Sequence, residues 1–79
     1  MAFDYSKLRG RIIEKYGSCQ AFGVAMGRSK VWVSTRLNNV VAWSTDEITE
    51  ACEPEKLDIA PEEIPVYFFT PKFDKSNIV

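Results

Sequence analysis

The sequence predicts an all-α protein: a compact four- to five-helix domain over residues 1–72 that contains a helix-turn-helix, with a short extended tail at residues 73–79. Three observations carry this. Tyr5, Leu8, Ile12 and Tyr16 recur at helical spacing and fall on one face. Residues 18–37, SCQAFGVAMGRSKVWVSTRL, read as two short helices hinged on Gly27. Ser44 and Glu47 form a capping box, which marks the start of a further helix. At 79 residues the chain has room for one modest core and no second unit.

The first helix is expected over residues 3–16, with Gly17 ending it. Beside its apolar face Lys7, Arg11 and Lys15 make a basic row at i, i+4, i+8. Such a row is ordinarily a solvated face, which leaves Lys7 and Arg11 as minor candidates for phosphate contact. Gly10 costs this helix about 1 kcal/mol relative to alanine, and close approach of a neighbouring backbone would explain it.

Ser18 suits the N-cap of the second helix, whose apolar stripe is Ala21, Phe22, Ala25 and Met26. Gly27 can take the left-handed conformation that turns the chain, and Ser29 caps a third helix with Val33 and Leu37 inward. Gly23 supplies a small residue where the two helices cross. A unit of this kind presents its second helix to the major groove of DNA. The residues left facing the base edges are Ser29, Lys30, Val31, Ser34 and Thr35. Lys30 can donate to guanine, the hydroxyls can donate or accept, and Val31 can lie against a thymine methyl. Ser18, Arg36, Asn38 and Asn39 are candidates for phosphate contact, the two asparagines also suiting the turn that follows the helix. Trp32 is expected to pack locally, with Arg36 one turn on in cation–π reach.

Residues 40–43 form a short apolar connection to the helix begun by Ser44, with Trp43 and Ile48 as a hydrophobic staple. Asp46 and Glu47 complement the helix dipole, so their clustering has a structural cause and is not read as a catalytic pair. Pro54 stops this helix near Glu53. Leu57 and Ile59 are expected to tuck inward, and Pro61 opens a short helical element, kinked at Pro65 and ended by Pro71. Val66, Tyr67, Phe68 and Phe69 exceed what so small a core can hide. They are assigned either to dimerisation with a second copy or to packing against the first helix. The polar tail reads as frayed or as a dimerisation arm.

Net charge is −1, but it is segregated along the chain. Residues 1–43 carry seven basic side chains against Asp4 and Glu14, a net of +5; residues 44–79 carry three basic against nine acidic, a net of −6. A basic half that coincides with the helix-turn-helix is the footprint phosphate binding needs, with the acidic half expected away from DNA.

Several classes are excluded. There is no histidine, so neither a Cys/His metal site nor histidine acid–base chemistry can be built. No glycine-rich phosphate loop is present. Neither cofactor, metal nor small-molecule ligand is expected, and the chain does not read as an enzyme. Cys19 and Cys52 fall on separate helices and are expected to be free thiols. No apolar run reaches membrane-spanning length and the start, MAFDYSKLRG, lacks the apolar core of a signal peptide, so a cytoplasmic protein without membrane partners is expected.

The segments DYSKLRGRI, AFGVAMGRSKVWVSTRLNN, WSTDEI and EEIPVYFFTPK together resemble the small Cro/CI-type phage regulators, close to Cro-like helix-turn-helix proteins of Gram-positive phages and prophages. The resemblance implies a lambda-repressor-like domain that binds double-stranded operator DNA as a homodimer and represses transcription. In that pattern the second helix opens on a phosphate-binding glutamine; here Cys19 stands there and Gln20 follows, making Gln20 the matching candidate. Arg28 replaces the usual buried aliphatic residue after the turn glycine and either faces solvent or supplies a further phosphate contact. The alternative is a protein-binding, antirepressor-like module that kept the fold and acts through another regulator.

Overall fold

The structure is a computed structural model and describes residues 3–71. Among those residues five α-helices follow in order: α1 Ser6–Tyr16, α2 Cys19–Ala25, α3 Lys30–Leu37, α4 Thr45–Ala51 and α5 Ile64–Phe68. A 3-10 turn, Pro61–Glu63, leads directly into α5. The all-α expectation holds. The tail at residues 73–79, and Lys72 at the boundary drawn for it, lie outside the described residues.

Hydroxyl caps set three of the helix starts. Ser18, Ser29 and Ser44 accept from the backbone N–H groups of Ala21, Trp32 and Glu47, and Glu47 returns the bond to the Ser44 N–H. α1 begins three residues later than its apolar spacing suggests. Phe3 instead bridges to Pro71 and the Asp4 N–H donates to the Thr70 carbonyl at 2.7 Å, so this part of the chain pairs with the C-terminal segment. α4 also stops early, at Ala51, because residues 52–59 curl back: the Leu57, Asp58 and Ile59 N–H groups donate to the carbonyls of Ala51, Glu53 and Cys52.

The core is continuous across all five helices. Leu8 and Ile12 of α1, Phe22 of α2, Val33 and Leu37 of α3, Ile48 of α4, Leu57 and Ile59 of the returning loop and Phe68 of α5 are all buried. An edge-on aromatic series runs Trp32, Trp43, Phe68, with centroids 5.4 and 5.1 Å apart, and joins α3 to α5. Ala25 is exposed rather than part of the α2 stripe; Cys19 takes a half-buried place against the core instead.

Two of the proposed reasons for glycine meet different fates. At Gly23 an added Cβ would lie 3.0 Å from the Val33 side chain and 3.4 Å from the Arg28 carbonyl, so α2 and α3 cross there. At Gly10 nothing lies within 4 Å, and the neighbouring backbone inferred from the sequence is not there. Gly27 has φ +69 and turns the chain between α2 and α3, as its position suggests.

Phe68 requires a correction. At 1% exposure it is a core residue, so it is unavailable to a second copy; α5 is too short and too closely packed on α1 to offer all four positions. Tyr67 packs half-buried on the same core, which leaves Val66 and Phe69 exposed.

Candidate interaction surface on the helix-turn-helix

The outward side of α3 is open. Lys30, Val31 and Ser34 are exposed, with Val31 at 68%, and Val24 on the adjoining α2 is 74% exposed. Ser29 is exposed but its hydroxyl is taken by the Trp32 N–H, as the Ser18 hydroxyl is by Ala21. Thr35 is half-buried and turned back on its own helix, donating to the Trp32 carbonyl and accepting from Arg36. Of the five residues assigned to base edges, Lys30 and Val31 therefore present side chains outward with no internal hydrogen bond among the described residues, while exposed Ser34 accepts from the Asn38 side chain at 3.2 Å.

The phosphate candidates divide in the same way. Gln20 is exposed at the start of α2. Asn38 accepts from Arg9 at 2.8 Å and donates to Ser34. Asn39, left-handed with φ 62, accepts from the Phe3 N–H and donates to the Phe3 carbonyl, both at 3.0 Å; its amide closes the base of the fold. Arg11, the minor candidate on α1, donates to the carbonyls of Leu57 and Asp58 at 2.9 Å and belongs to the scaffold.

Arg36 and Arg28 both sit over the Trp32 ring, 4.8 and 5.2 Å from its centroid. Trp32 is buried there, as expected of a packing residue. Both arginines also face carboxylates: Arg36 lies 3.1 Å from Glu47, and Arg28 lies 3.9 Å from Glu50. Burial alone would raise the Glu47 carboxyl. Hydrogen bonds from the Ser44 N–H, Arg36 and Trp32, with the Arg36 charge, outweigh burial and hold it below its ordinary value, so it stays ionised beside Arg36 at neutral pH.

This arrangement corrects the charge reading. The two halves of the chain are segregated in sequence but meet in space at two points, because α4 lays Glu47 against Arg36 and Glu50 near Arg28. Glu47 is the residue sequence reasoning missed. Its capping-box spacing explained it fully, and nothing in a linear sequence reports a partner on α3. Arg28 over Trp32 was legible, since the pair has the same i, i+4 spacing as Trp32 and Arg36.

A groove of about 210 Å³ opens between α1, α2 and α3. Val33, Leu37 and Cys19 contribute to its floor, and Arg9, Gln20, Lys30 and Asn38 to its sides. Among the described residues no cluster of histidine, cysteine or carboxylate side chains could hold a metal ion, and no helix is long and apolar enough to cross a membrane. Cys19 and Cys52 are free.

The family described as "Protein of unknown function (DUF739)" matches residues 1–71, nearly the whole chain. The chain belongs to the DUF739 family. This DUF739 protein is also similar to a solved structure, the modulator of repression (MOR) of the temperate bacteriophage TP901-1 from Lactococcus lactis. The two are 44% identical, the match covers 94% of this chain and 97% of the other, and the TM-score is 0.77. None of the curated proteins matches.

Proposed function

We propose that the protein is a phage or prophage regulator that modulates repression by binding a repressor protein, using the outward face of its helix-turn-helix. The pairing of Arg36 and Arg28 with carboxylates of α4 carries this reading. A phosphate-binding surface needs mobile or preorganised cations free to meet the backbone. Here Arg36 is held by Glu47 and Arg28 faces Glu50, while Val31 of α3 and Val24 of α2 are exposed. Exposed aliphatic side chains within a polar surround suit a protein partner better than a polyanion. The likeness to a protein named a modulator of repression supports the same reading.

Direct operator binding by a homodimer is the second reading. It is favoured by a properly capped α3 with Lys30 and Ser34 facing outward. One titration series separates the two. The protein is titrated by calorimetry with the repressor encoded in the same phage genome, and in parallel used to select DNA from a random pool. Saturable repressor binding with no enriched sequence supports the protein-binding reading. Enrichment of one palindromic site, with a log–log salt slope that changes by about 0.9 for each phosphate contact removed and half-sites about 34 Å apart, overturns it.

A further inference from the structure

We infer that the groove between α1, α2 and α3 receives an apolar side chain flanked by a carboxylate from the partner protein, an inference that rests on the protein-binding reading above. The groove floor is aliphatic, from the buried side chains of Val33 and Leu37 with half-buried Cys19 beside them. Its volume of about 210 Å³ has room for one large aliphatic or aromatic side chain. Two cations stand at its edge. Arg9 is fixed there by donating to the Leu37 carbonyl at 3.3 Å and to Asn38 at 2.8 Å, and Lys30, in the first turn of α3, lines the same groove.

Unlike Arg28 and Arg36, neither Arg9 nor Lys30 is ion-paired to a carboxylate among the described residues. The positive charge at this groove is thus charge that the carboxylates of α4 do not pair with. A nucleic-acid backbone would meet the two cations and leave the groove unfilled, since phosphates and sugars carry no protruding apolar group. A helix bearing a leucine- or phenylalanine-like side chain with glutamate or aspartate one turn away meets both. The incoming side chain leaves water against an aliphatic floor, and the carboxylate meets charge-assisted donors at the groove edge.

The test uses Cys19 as a reporter at the groove and buried Cys52, whose thiol burial pushes up to about 11, as an internal reference. Alkylation by iodoacetamide is timed with four probes added separately. These are the repressor, a helical peptide of about 14 residues built from leucine, glutamate and alanine, its counterpart with lysine for glutamate, and a DNA duplex of about 20 base pairs. The repressor and the glutamate peptide are expected to slow Cys19 alkylation about tenfold at about ten times their dissociation constants. The lysine peptide and the duplex are expected to leave it unchanged. Ser34→Trp, which fills the groove from an exposed position, and Lys30→Glu, which removes one cation without touching the core, are each expected to abolish that protection with far-ultraviolet circular dichroism unaltered. Protection by the duplex and not by the glutamate peptide overturns the inference in favour of nucleic acid. Repressor binding that leaves Cys19 unprotected and Ser34→Trp fully active removes the groove while the protein-binding reading stands. Absence of repressor binding altogether removes that reading, and the groove assignment with it.

Discussion

Arg36 and Glu47 stand 3.1 Å apart with most of both side chains out of water, and the Trp32 indole N–H donates to the same carboxylate oxygen at 3.1 Å. The other oxygen accepts from the Ser44 N–H that opens α4. One carboxylate therefore caps its own helix, anchors the last turn of α3 and fixes the indole between them. Glu47→Ala is expected to cost about 3 kcal/mol, because it strips the cap and leaves Arg36 without its partner. Glu47→Gln keeps the reciprocal cap and is expected to cost about half as much. Urea unfolding midpoints check both.

The same carboxylate gives an acid limb to stability. Its folded pKa is depressed from an ordinary value of 4.5, so the stability it contributes is fully present above that value and is lost as pH falls through the folded pKa. The difference between wild type and Glu47→Gln is therefore expected to be constant near neutrality and to shrink as pH drops below 4.5. Unfolding midpoints followed from neutral to acid pH test this; a gap that stays constant into acid contradicts it.

Two glycine-to-alanine changes are expected to act in opposite directions. Gly10 is exposed inside α1 with nothing within 4 Å of an added Cβ, so Gly10→Ala is expected to stabilise by about 1 kcal/mol through helix propensity alone. Gly27 is equally uncrowded but has φ +69, so Gly27→Ala is expected to destabilise by about 1 kcal/mol through backbone strain. Thermal melts of the two variants against wild type provide the comparison.

These glycines also mark where the sequence was informative. Turn and cap signals are local, and Gly27, Ser18, Ser29 and the Ser44–Glu47 box each act where their spacing places them. The inward residues of α1 and α3 follow from period alone. What the sequence withheld is held by non-local pairs. Asn39 reads as a turn residue, yet its amide ties down Phe3, 36 positions away. Phe68 reads as surplus apolar surface until Trp43 is found against it. The charge count missed the Arg36–Glu47 and Arg28–Glu50 pairs for the same reason, because counting charge by position assumes that distance along the chain is distance in space.

At Gly23 the sign depends on size. Alanine gains about 1 kcal/mol of helix propensity and sets a Cβ 3.0 Å from a buried Val33 methyl, two effects that nearly offset. Gly23→Ala is expected to change stability by less than about 1 kcal/mol. Gly23→Val cannot be accommodated between α2 and the Arg28 carbonyl without moving α3, and is expected to cost about 3 kcal/mol. It should also weaken partner binding beyond the loss of folded protein, because α3 is displaced. Chemical denaturation combined with binding measured per folded molecule separates the two effects.

Arg11 fastens the returning loop to α1. Its Nε and Nη2 groups donate to the carbonyls of Leu57 and Asp58 at 2.9 Å, while Nη1 pairs with Glu14 at 2.6 Å. The carbonyl bonds hold a segment in which Asp58 adopts φ 52 and Leu57 is buried, whereas Glu14 is mostly in water. Arg11→Ala is therefore expected to cost about 2 kcal/mol. Glu14→Ala is expected to change stability by less than about 0.5 kcal/mol. Arg11→Lys keeps the charge but not the fork that spans two carbonyls, and is expected to recover less than half of the loss. Hydrogen exchange gives the local signature: the Leu57, Asp58 and Ile59 amides, which donate within the loop, should lose protection in Arg11→Ala while those of α3 keep theirs. Uniform loss across the chain would instead mean that Arg11 acts on global stability and does not fasten the loop specifically.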